Sequence, residues 1–204
     1  FAIVLLVGAY ITVSSLQQQV KPSVKKAIED TLADNANLLS VLLVDDLKQQ
    51  RLALPEFDQK IQAVLARQLQ AHIGDFQKSA ISQQLYITDD KGIVLYDSRG
   101  SDTLGQDYSR WNDVYLTLQG RYGVRSTRSN AQDENSSVMY VAAPIKDGQR
   151  IIGVVTLSKA GKMMQPFIQK AQQDMYKRGV IVAFVALLLS ALVAWWLRHA
   201  IYLV

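Results

Sequence analysis

The sequence predicts an α+β fold, with a long N-terminal helix before a five-stranded antiparallel sheet and a membrane helix at each end of the chain. Apolar residues recur at helical spacing between residues 20 and 43. Short runs rich in Val, Ile and Tyr, joined by turn sequences, follow between residues 85 and 158. Residues 179–197 form an apolar run without a charged residue. Helices and strands that are separated along the chain are typical of α+β folds.

The composition limits the chemistry of the chain. Its 204 residues allow one globular domain with additional elements, and a net charge of +4 does not by itself indicate a nucleic-acid partner. The chain has no cysteine, which excludes disulfides and thiolate metal sites. The two histidines, His72 and His199, are far apart in sequence. We therefore expect no metal, no cofactor and no nucleic acid.

The run GVIVAFVALLLSALVAWWL, residues 179–197, is the stronger membrane-helix candidate. At about 1.5 Å per residue it spans roughly 28 Å, which is enough for the apolar core of a bilayer. Trp195 and Trp196 lie at one end, where interfacial aromatic residues belong, and Lys177 and Arg178 bound the other end. The alternative is a buried core helix.

The run FAIVLLVGAYITVSSL, residues 1–16, is the second candidate, and a signal peptide is the competing interpretation. The chain begins without Met inside this run, so we expect the native start to lie upstream. The predicted segments are a truncated first membrane helix over 1–16, a polar domain over 17–178, a second membrane helix over 179–197, and the start of a cytoplasmic linker over 198–204.

A long amphipathic helix is predicted after the first membrane helix. Its apolar stripe comprises Val20, Val24, Ile28, Leu32, Ala36, Leu39 and Leu43. The stripe can pack against the sheet or against the same helix of another subunit, and we expect its first three residues at a two-fold dimer interface. A second helix should begin at Pro55 and end near Gly74, with His72 at the surface in its last turn.

The remaining elements are five strands and one short helix. Residues 85–88 and 93–98 are joined by Asp-Asp-Lys-Gly, and residues 136–158 form a hairpin around Asp-Gly. A short helix is predicted over 108–118 and a third strand over 120–129. A long amphipathic helix before a five-stranded antiparallel sheet is the plan of a PAS-like extracytoplasmic sensor.

The stretch GQDYSRWNDVYLTLQGRYGVRST, followed by SSVMYVAAPI and IIGVVTLSK, resembles the sensor region of CreC-type sensor histidine kinases. The earlier segments VKPSVKKAIEDTLADNANLLS and LYITDDKGIVLYDS are similar to the same family. The resemblance runs from Val20 to about Lys159. It implies a single Cache domain over 17–178 in the bacterial periplasm, held by two helices in the inner membrane.

The resemblance also implies the function. The full protein would carry a linker such as HAMP, a dimerisation domain with a phospho-accepting histidine, an ATP-binding domain and a cognate response regulator as partner. The sequence contains no recognisable catalytic site, so we expect the sensing part of a homodimeric kinase that responds to an unknown small-molecule or protein signal. The alternatives are a chemoreceptor input domain or a periplasmic protein-interaction module without a small-molecule ligand.

In this architecture a ligand pocket lies on the sheet face opposite the long helix, under the segment between strands two and three. The candidate ligand-binding residues are Tyr108, Arg110, Trp111, Asp113, Tyr115, Arg125, Thr127 and Tyr140. Arg110 could hold a carboxylate through two hydrogen bonds. Alternatively, Arg110 and Asp113 pair with each other on the surface of a helix, and Trp111 belongs to the core.

The alternation of side chains in the fourth strand predicts which residues meet in this pocket. Met139 and Val141 belong to the more uniformly apolar face, which suits packing against the long helix. Tyr140 points the other way, towards the segment that crosses the sheet. We therefore expect Arg110, Trp111 and Tyr140 to converge on one cavity.

Overall fold

The computed structural model describes residues 2–201 except 75, 129, 134, 135 and 164. The helices are α1 (Ala2–Leu42), α2 (Val44–Lys48), α3 (Pro55–Leu65), α4 (Asn112–Leu118) and α5 (Gln165–Ile201). The strands are β1 (Ala71–Ile73), β2 (Phe76–Lys78), β3 (Gln83–Asp89), β4 (Val94–Asp97), β5 (Gly123–Arg128), β6 (Ser137–Asp147) and β7 (Arg150–Ala160).

The main sheet has five antiparallel strands in the order β4-β3-β7-β6-β5. Its longest ladder is the β6–β7 hairpin, whose turn places Gly148 at φ +61°. A turn of this kind needs positive φ, and Asp-Gly supplies it. The predicted fold class, with a five-stranded antiparallel sheet after a long N-terminal helix, is confirmed.

The second helix is shorter than predicted. It ends at Leu65, and the residues up to Lys78 form a small two-stranded sheet, β1–β2, in which His72 pairs with Gln77. Gly74 adopts φ +58° in the turn between these strands. A glycine with positive φ ends a helix or turns a hairpin, and here it turns a hairpin. The prediction of His72 in the last turn of a helix is therefore wrong.

One face of the main sheet packs against α1. Leu32, Ala36 and Leu43 of the predicted stripe are buried there, and Ile28 and Leu39 pack against the same core. The sheet contributes residues of one face from four strands: Leu85, Ile87, Tyr96, Met139, Val141, Ala143, Ile145, Val155 and Leu157. The prediction that Met139 and Val141 face the long helix is confirmed, and part of the stripe serves intrachain packing.

The opposite face carries the other alternation phase and is covered by α4 and the segment before it. Its buried core comprises Tyr86, Val94, Tyr108, Val114, Tyr140, Ala142 and Val154. Strands that are apolar on both sides have to be covered on both faces. Tyr140 therefore lies on the predicted face, away from the long helix.

The chain divides into two compact units, one comprising residues 1–26 and 164–204 and the other Ala27–Met163. In the first unit, Gln165–Trp196 is the one helix among the described residues with the length and composition of a membrane span. Its most apolar 18-residue window has a mean hydropathy of 2.4, and no residue of that window is buried. The backbone of the other predicted span is helical from Ala2 onwards, but several of its side chains lie outside the described residues. Its membrane role stays a prediction, as do the predicted domain boundaries.

Candidate functional site

The site is organised by α4, which lies directly on β5. The inward side of α4 buries Asp113, Val114 and Thr117, each fully shielded from solvent. A Cβ atom on Gly123 of β5 would lie 2.1 Å from the Asp113 carbonyl oxygen and 2.1 Å from Thr117 Oγ1. Glycine at this position is therefore what allows the helix and the strand to approach so closely.

An ion pair links α4 to the sheet. Arg125 Nε donates a hydrogen bond of 2.7 Å to Asp113 Oδ1, and the Tyr86 hydroxyl donates to Asp113 Oδ2. The side chains of Arg125 and Asp113 are 13% and 0% exposed. Two buried charges thus neutralise each other, with the hydroxyl of β3 completing the carboxylate's partners.

The Arg125 guanidinium lies between two aromatic rings. Its Cζ atom is 4.0 Å from the ring centroid of Trp111 and 3.9 Å from that of Tyr140. Tyr108 stacks on Trp111 at 3.5 Å and meets Tyr86 edge to face at 5.3 Å. Cation–π contacts of this kind stabilise a desolvated cation. Arg125 Nη2 is nevertheless buried with no hydrogen-bond partner among the described residues.

The surroundings favour a charged Arg125 and a neutral Tyr86. Burial acts to lower the pKa of Arg125, but the hydrogen bond and charge of Asp113 outweigh it, so the pKa is raised. Burial first, and then the charge of Asp113, raise the pKa of the Tyr86 hydroxyl well above its ordinary value. Tyr86 therefore remains a proton donor to Asp113 throughout the physiological range.

A second ion pair lies at the end of β4, where the buried Asp97 pairs with the exposed Arg99. Asp97, which is 4% exposed, accepts hydrogen bonds from the Arg99 guanidinium and backbone N–H and from Thr103 Oγ1. Burial acts to raise the pKa of Asp97, but these hydrogen bonds outweigh it and the pKa is lowered. The pKa of Arg99 is raised, first by its hydrogen bond to Asp97 and to a smaller extent by Tyr140 and Tyr108, which places this pair next to the aromatic cluster.

Two cavities lie along β4, and one of them reaches the Asp97–Arg99 pair. One has a volume of about 590 Å³ and is lined by residues that include Asp58, Tyr96 and Arg99. The other has a volume of about 480 Å³, and the two share Leu52 and Leu95 among their lining residues. Within the described part of the chain, no group of three or more His, Cys, Asp or Glu side chains lies together as a metal site would require.

Five of the eight predicted site residues come together: Tyr108, Trp111, Asp113, Arg125 and Tyr140. Tyr115 is 49% exposed although its helix covers the sheet. Thr127 is half-buried two residues after Arg125 in β5, so it shares the strand face of Arg125. Tyr115 therefore lies outside the buried cluster, and Thr127 borders it.

The prediction that Arg110 converges with Trp111 and Tyr140 on one cavity is wrong, whereas a ligand-binding role for Arg110 stays a prediction. Arg110 is exposed, whereas Trp111 and Tyr140 meet around the guanidinium of Arg125. The predicted helix over 108–118 begins only at Asn112, and Tyr108 and Trp111 stack on each other over the sheet. Arg110, between these two rings in sequence, is left to solvent. The alternative pairing of Arg110 with Asp113 on a helix surface is also wrong, because Asp113 pairs with Arg125.

Three residues of the site, Tyr86, Asp97 and Arg99, are not among the predicted site residues. Tyr86 alternates with Leu85 and Ile87 in β3, so the alternation argument used for Tyr140 would have placed it on the same face. Asp97 and Arg99 lie where β4 ends, and a charged pair of this spacing in a loop carries no comparable signal.

No family model matches this chain. It is 39% identical over 201 residues to the Sensor protein CreC of Escherichia coli (strain K12), covering 98% of this chain and 42% of that protein. The sensor domain of the V. cholerae histidine kinase DctB aligns with a TM-score of 0.48 at 19% identity, covering 74% of this chain and 57% of that one. The E. coli DcuS sensor domain aligns with a TM-score of 0.38 at 20% identity, covering 69% and 97%.

The chain thus spans less than half the length of its curated relative, although nearly all of its own residues are matched. The matched region includes the helices, the sheet and the site described above. The predicted resemblance to CreC-type sensor proteins is therefore confirmed, over the 42% of the relative's length that this chain covers.

Proposed function

We propose that this chain is the sensing and membrane-spanning region of a two-component sensor histidine kinase, with residues 17–178 in the bacterial periplasm. The observation that carries the proposal is the 39% identity to a sensor protein over 98% of the chain. The apolar helix Gln165–Trp196 supports an anchor in the inner membrane. The kinase activity and a cognate response regulator would belong to the rest of the full-length protein, which would act as a homodimer.

The signal would act at the α4 face of the sheet. Buried charges are costly, and their concentration under one short helix points to a role beyond packing. Trp111, Arg125 and Tyr140 would contact the signal molecule, and its binding would change the ion pair between Asp113 and Arg125. A cofactor is not part of this proposal.

A direct contact would carry the change at α4 to α1. The Tyr122 hydroxyl, in the turn between α4 and β5, donates a hydrogen bond of 2.9 Å to Glu29 Oε1 on α1. Burial, followed by the hydrogen bond to Glu29, raises the pKa of Tyr122 to about 12. The hydroxyl therefore stays protonated and able to donate at neutral pH, and through this solvent-exposed hydrogen bond a displacement of the turn would reach the helix that the proposal places next to the membrane.

Reporter fusions at Asn130 test the placement. Asn130 is exposed in the connection between β5 and β6, where an insertion disturbs little packing. Alkaline phosphatase, which is active only outside the cytoplasm, should be active at this position, and a green fluorescent protein fusion should be dark when exported through the Sec pathway. Cytoplasmic behaviour of both reporters would exclude the proposed topology.

A chimaera tests the kinase assignment. This chain would replace the matching region of the E. coli Sensor protein CreC, and incorporation of labelled phosphate from ATP would be measured in membrane vesicles. We expect phosphorylation comparable to that of the parent protein. A matched control carries Leu188→Lys and Leu189→Lys in the apolar span and should fail to insert. A chimaera that inserts normally but is never phosphorylated would contradict the proposal.

A second candidate is a module that binds a protein partner and no small molecule. It is favoured by three exposed apolar side chains on one side of α1, Leu38, Val41 and Leu42, which are 62%, 72% and 64% exposed. Substitution of all three by Ser should leave the response of the chimaera intact if the α4 face receives the signal. Loss of the response in that variant would favour the partner-binding candidate.

A further inference from the structure

The Arg125 guanidinium has hydrogen-bonding capacity that the described residues leave unused. A guanidinium carries five N–H donors, and one of them, on Nε, binds Asp113. Nη2 is buried and has no acceptor among the described residues. The rings of Trp111 and Tyr140 cover the guanidinium, and a ring face is no substitute for an oxygen acceptor. A buried charged donor without an acceptor destabilises the folded state. An acceptor that reaches Nη2 in another state of the protein would remove this cost.

The partner of Arg125 belongs to a short helix with one exposed face. Asp113 is carried by the seven residues of α4, which rest on the sheet through three buried side chains. The outer side of α4 is exposed, as Tyr115 illustrates, and the helix ends in a turn at Gly120 with φ +73°. α4 is short and its outer face is exposed, but three of its residues are fully buried, so the binding of a ligand would have to offset the cost of moving α4 off the sheet.

We propose that Asp113 is the internal occupant of a carboxylate-binding site. Its carboxylate, held by Arg125 and Tyr86, takes the place that the carboxylate of an external ligand takes when α4 lifts from the sheet. The planar guanidinium edge suits a carboxylate held by two parallel hydrogen bonds, which would also use Nη2. The two states of the sensor are then Asp113 in the site and ligand in the site.

The structure also indicates the size of ligand that can compete. Asp113 accepts hydrogen bonds from the edge of the Arg125 guanidinium and from the Tyr86 hydroxyl, beside the rings of Trp111 and Tyr140. A ligand that competes with Asp113 for these donors would therefore carry a compact carboxylate. Because Asp113 is tethered beside Arg125, the site is open only for a small fraction of the time. The apparent dissociation constant of an external ligand is raised by the inverse of that fraction. Removal of Asp113 should therefore tighten the binding of carboxylates by about 10-fold or more.

The consequence for signalling rests on the proposed function. When α4 lifts, the turn after it moves, and with it the hydroxyl of Tyr122 that binds Glu29 on α1. A ligand that binds only the lifted state shifts the population towards it. The binding exchange itself does not depend on a kinase and is measurable on the purified chain.

Chemical rescue tests the proposal. The full chain in detergent micelles would be prepared as wild type, as Asp113→Ala and as Asp113→Ala with Arg125→Met. Each would be melted at pH 7 with sodium formate or acetate at about 100 mM, and with sodium chloride at the same ionic strength. We expect formate to raise the Tm of Asp113→Ala by about 2–4 °C over chloride, with less than about 1 °C for the other two proteins.

Two outcomes would overturn the inference. Equal effects of formate and chloride on Asp113→Ala would mean that no external carboxylate enters, and rescue of the Arg125→Met variant would place the anion elsewhere. If Asp113→Ala does not fold in chloride, Asp113→Ser replaces it, and folding that depends on formate is then the expected result. Failure of the reporter fusions at Asn130 would count against the proposed function and leave this test unaffected.

Discussion

The most direct test of the site geometry is Gly123→Ala, which adds one methyl group between β5 and α4. The new Cβ would lie 2.1 Å from both the Asp113 carbonyl oxygen and Thr117 Oγ1, about 0.9 Å closer than the 3.0 Å that Cβ contacts essentially never breach. One of these atoms belongs to the backbone and cannot rotate away. The helix has to move outward, and it takes the Asp113 carboxylate away from Arg125.

The expected cost combines two effects. Overpacking of a tight contact costs about 1–3 kcal/mol, and a weakened buried ion pair adds to it, for a total of about 2–4 kcal/mol. For a protein of this size each kcal/mol lowers the Tm by about 2–4 °C, so we expect a decrease of about 4–15 °C. Thermal unfolding followed by circular dichroism, on the purified chain in micelles, measures it.

Two controls isolate the steric cause. Ser126→Ala changes an exposed position of the same strand and should shift the unfolding free energy by less than about 0.5 kcal/mol. Thr117→Ala removes one of the two clashing atoms but not the carbonyl oxygen, so adding Gly123→Ala to it should still destabilise the protein. A Tm for Gly123→Ala within about 1 °C of the wild type would refute the close packing of α4 on β5.

Three further predictions concern the Arg125–Asp113 pair, the buried Asp97 and the dimer interface of α1. Arg125→Met should cost about 3–5 kcal/mol in a urea titration because it leaves Asp113 buried without its cation, and Asp113→Ala added to it should cost little more; additive losses would contradict the coupling. Because the folded-state pKa of Asp97 is below its ordinary value of 3.8, its contribution to the unfolding free energy is complete above that pH and is lost as the pH falls through the folded-state pKa. Melts between about pH 2 and pH 7 should therefore show a smaller acid-induced loss for Asp97→Asn, and identical slopes would argue against the shift. Since the chain has no cysteine, Val24→Cys should crosslink two subunits if the membrane-proximal part of α1 forms the dimer interface, and stronger crosslinking of Val41→Cys would move that interface to the exposed side of the helix.

Local patterns were sufficient for the elements and for the two faces of the sheet. The Asp-Gly sequence predicts the β6–β7 turn directly, because a tight turn between two strands needs a positive φ, which Gly148 adopts. Side chains of successive strand residues point to opposite faces, so Val141 and Tyr140 had to lie on different sides. These features depend on neighbours within a few residues, which is the range over which a single sequence is informative.

Two predictions, for Gly74 and for the position of Arg110, are wrong because they depend on contacts beyond the neighbouring residues. Gly74 was consistent with the end of a helix and with the turn of a hairpin, since both need the same backbone conformation. The pairing of β1 with β2 on either side of Gly74 makes this glycine part of a hairpin turn and not a helix end. Arg110 lies in the segment that crosses this sheet face, which predicts a side chain directed into the site, but in the structure Tyr108 and Trp111 of this segment stack over the sheet and Arg110 is exposed.

The sequence by itself determined that this chain has an apolar helix long enough for a membrane, a two-sided sheet and an aromatic-rich segment over one of its faces. Which arginine meets which carboxylate was decided only by the tertiary structure. Asp113 is 12 residues from Arg125 and 27 from Tyr86 in sequence. The three meet because Arg125 of β5 and Tyr86 of β3 point to the sheet face that α4 covers. Charged side chains carry no periodic signal of their partners, because an ion pair is selected by distance and desolvation after the strands have assembled.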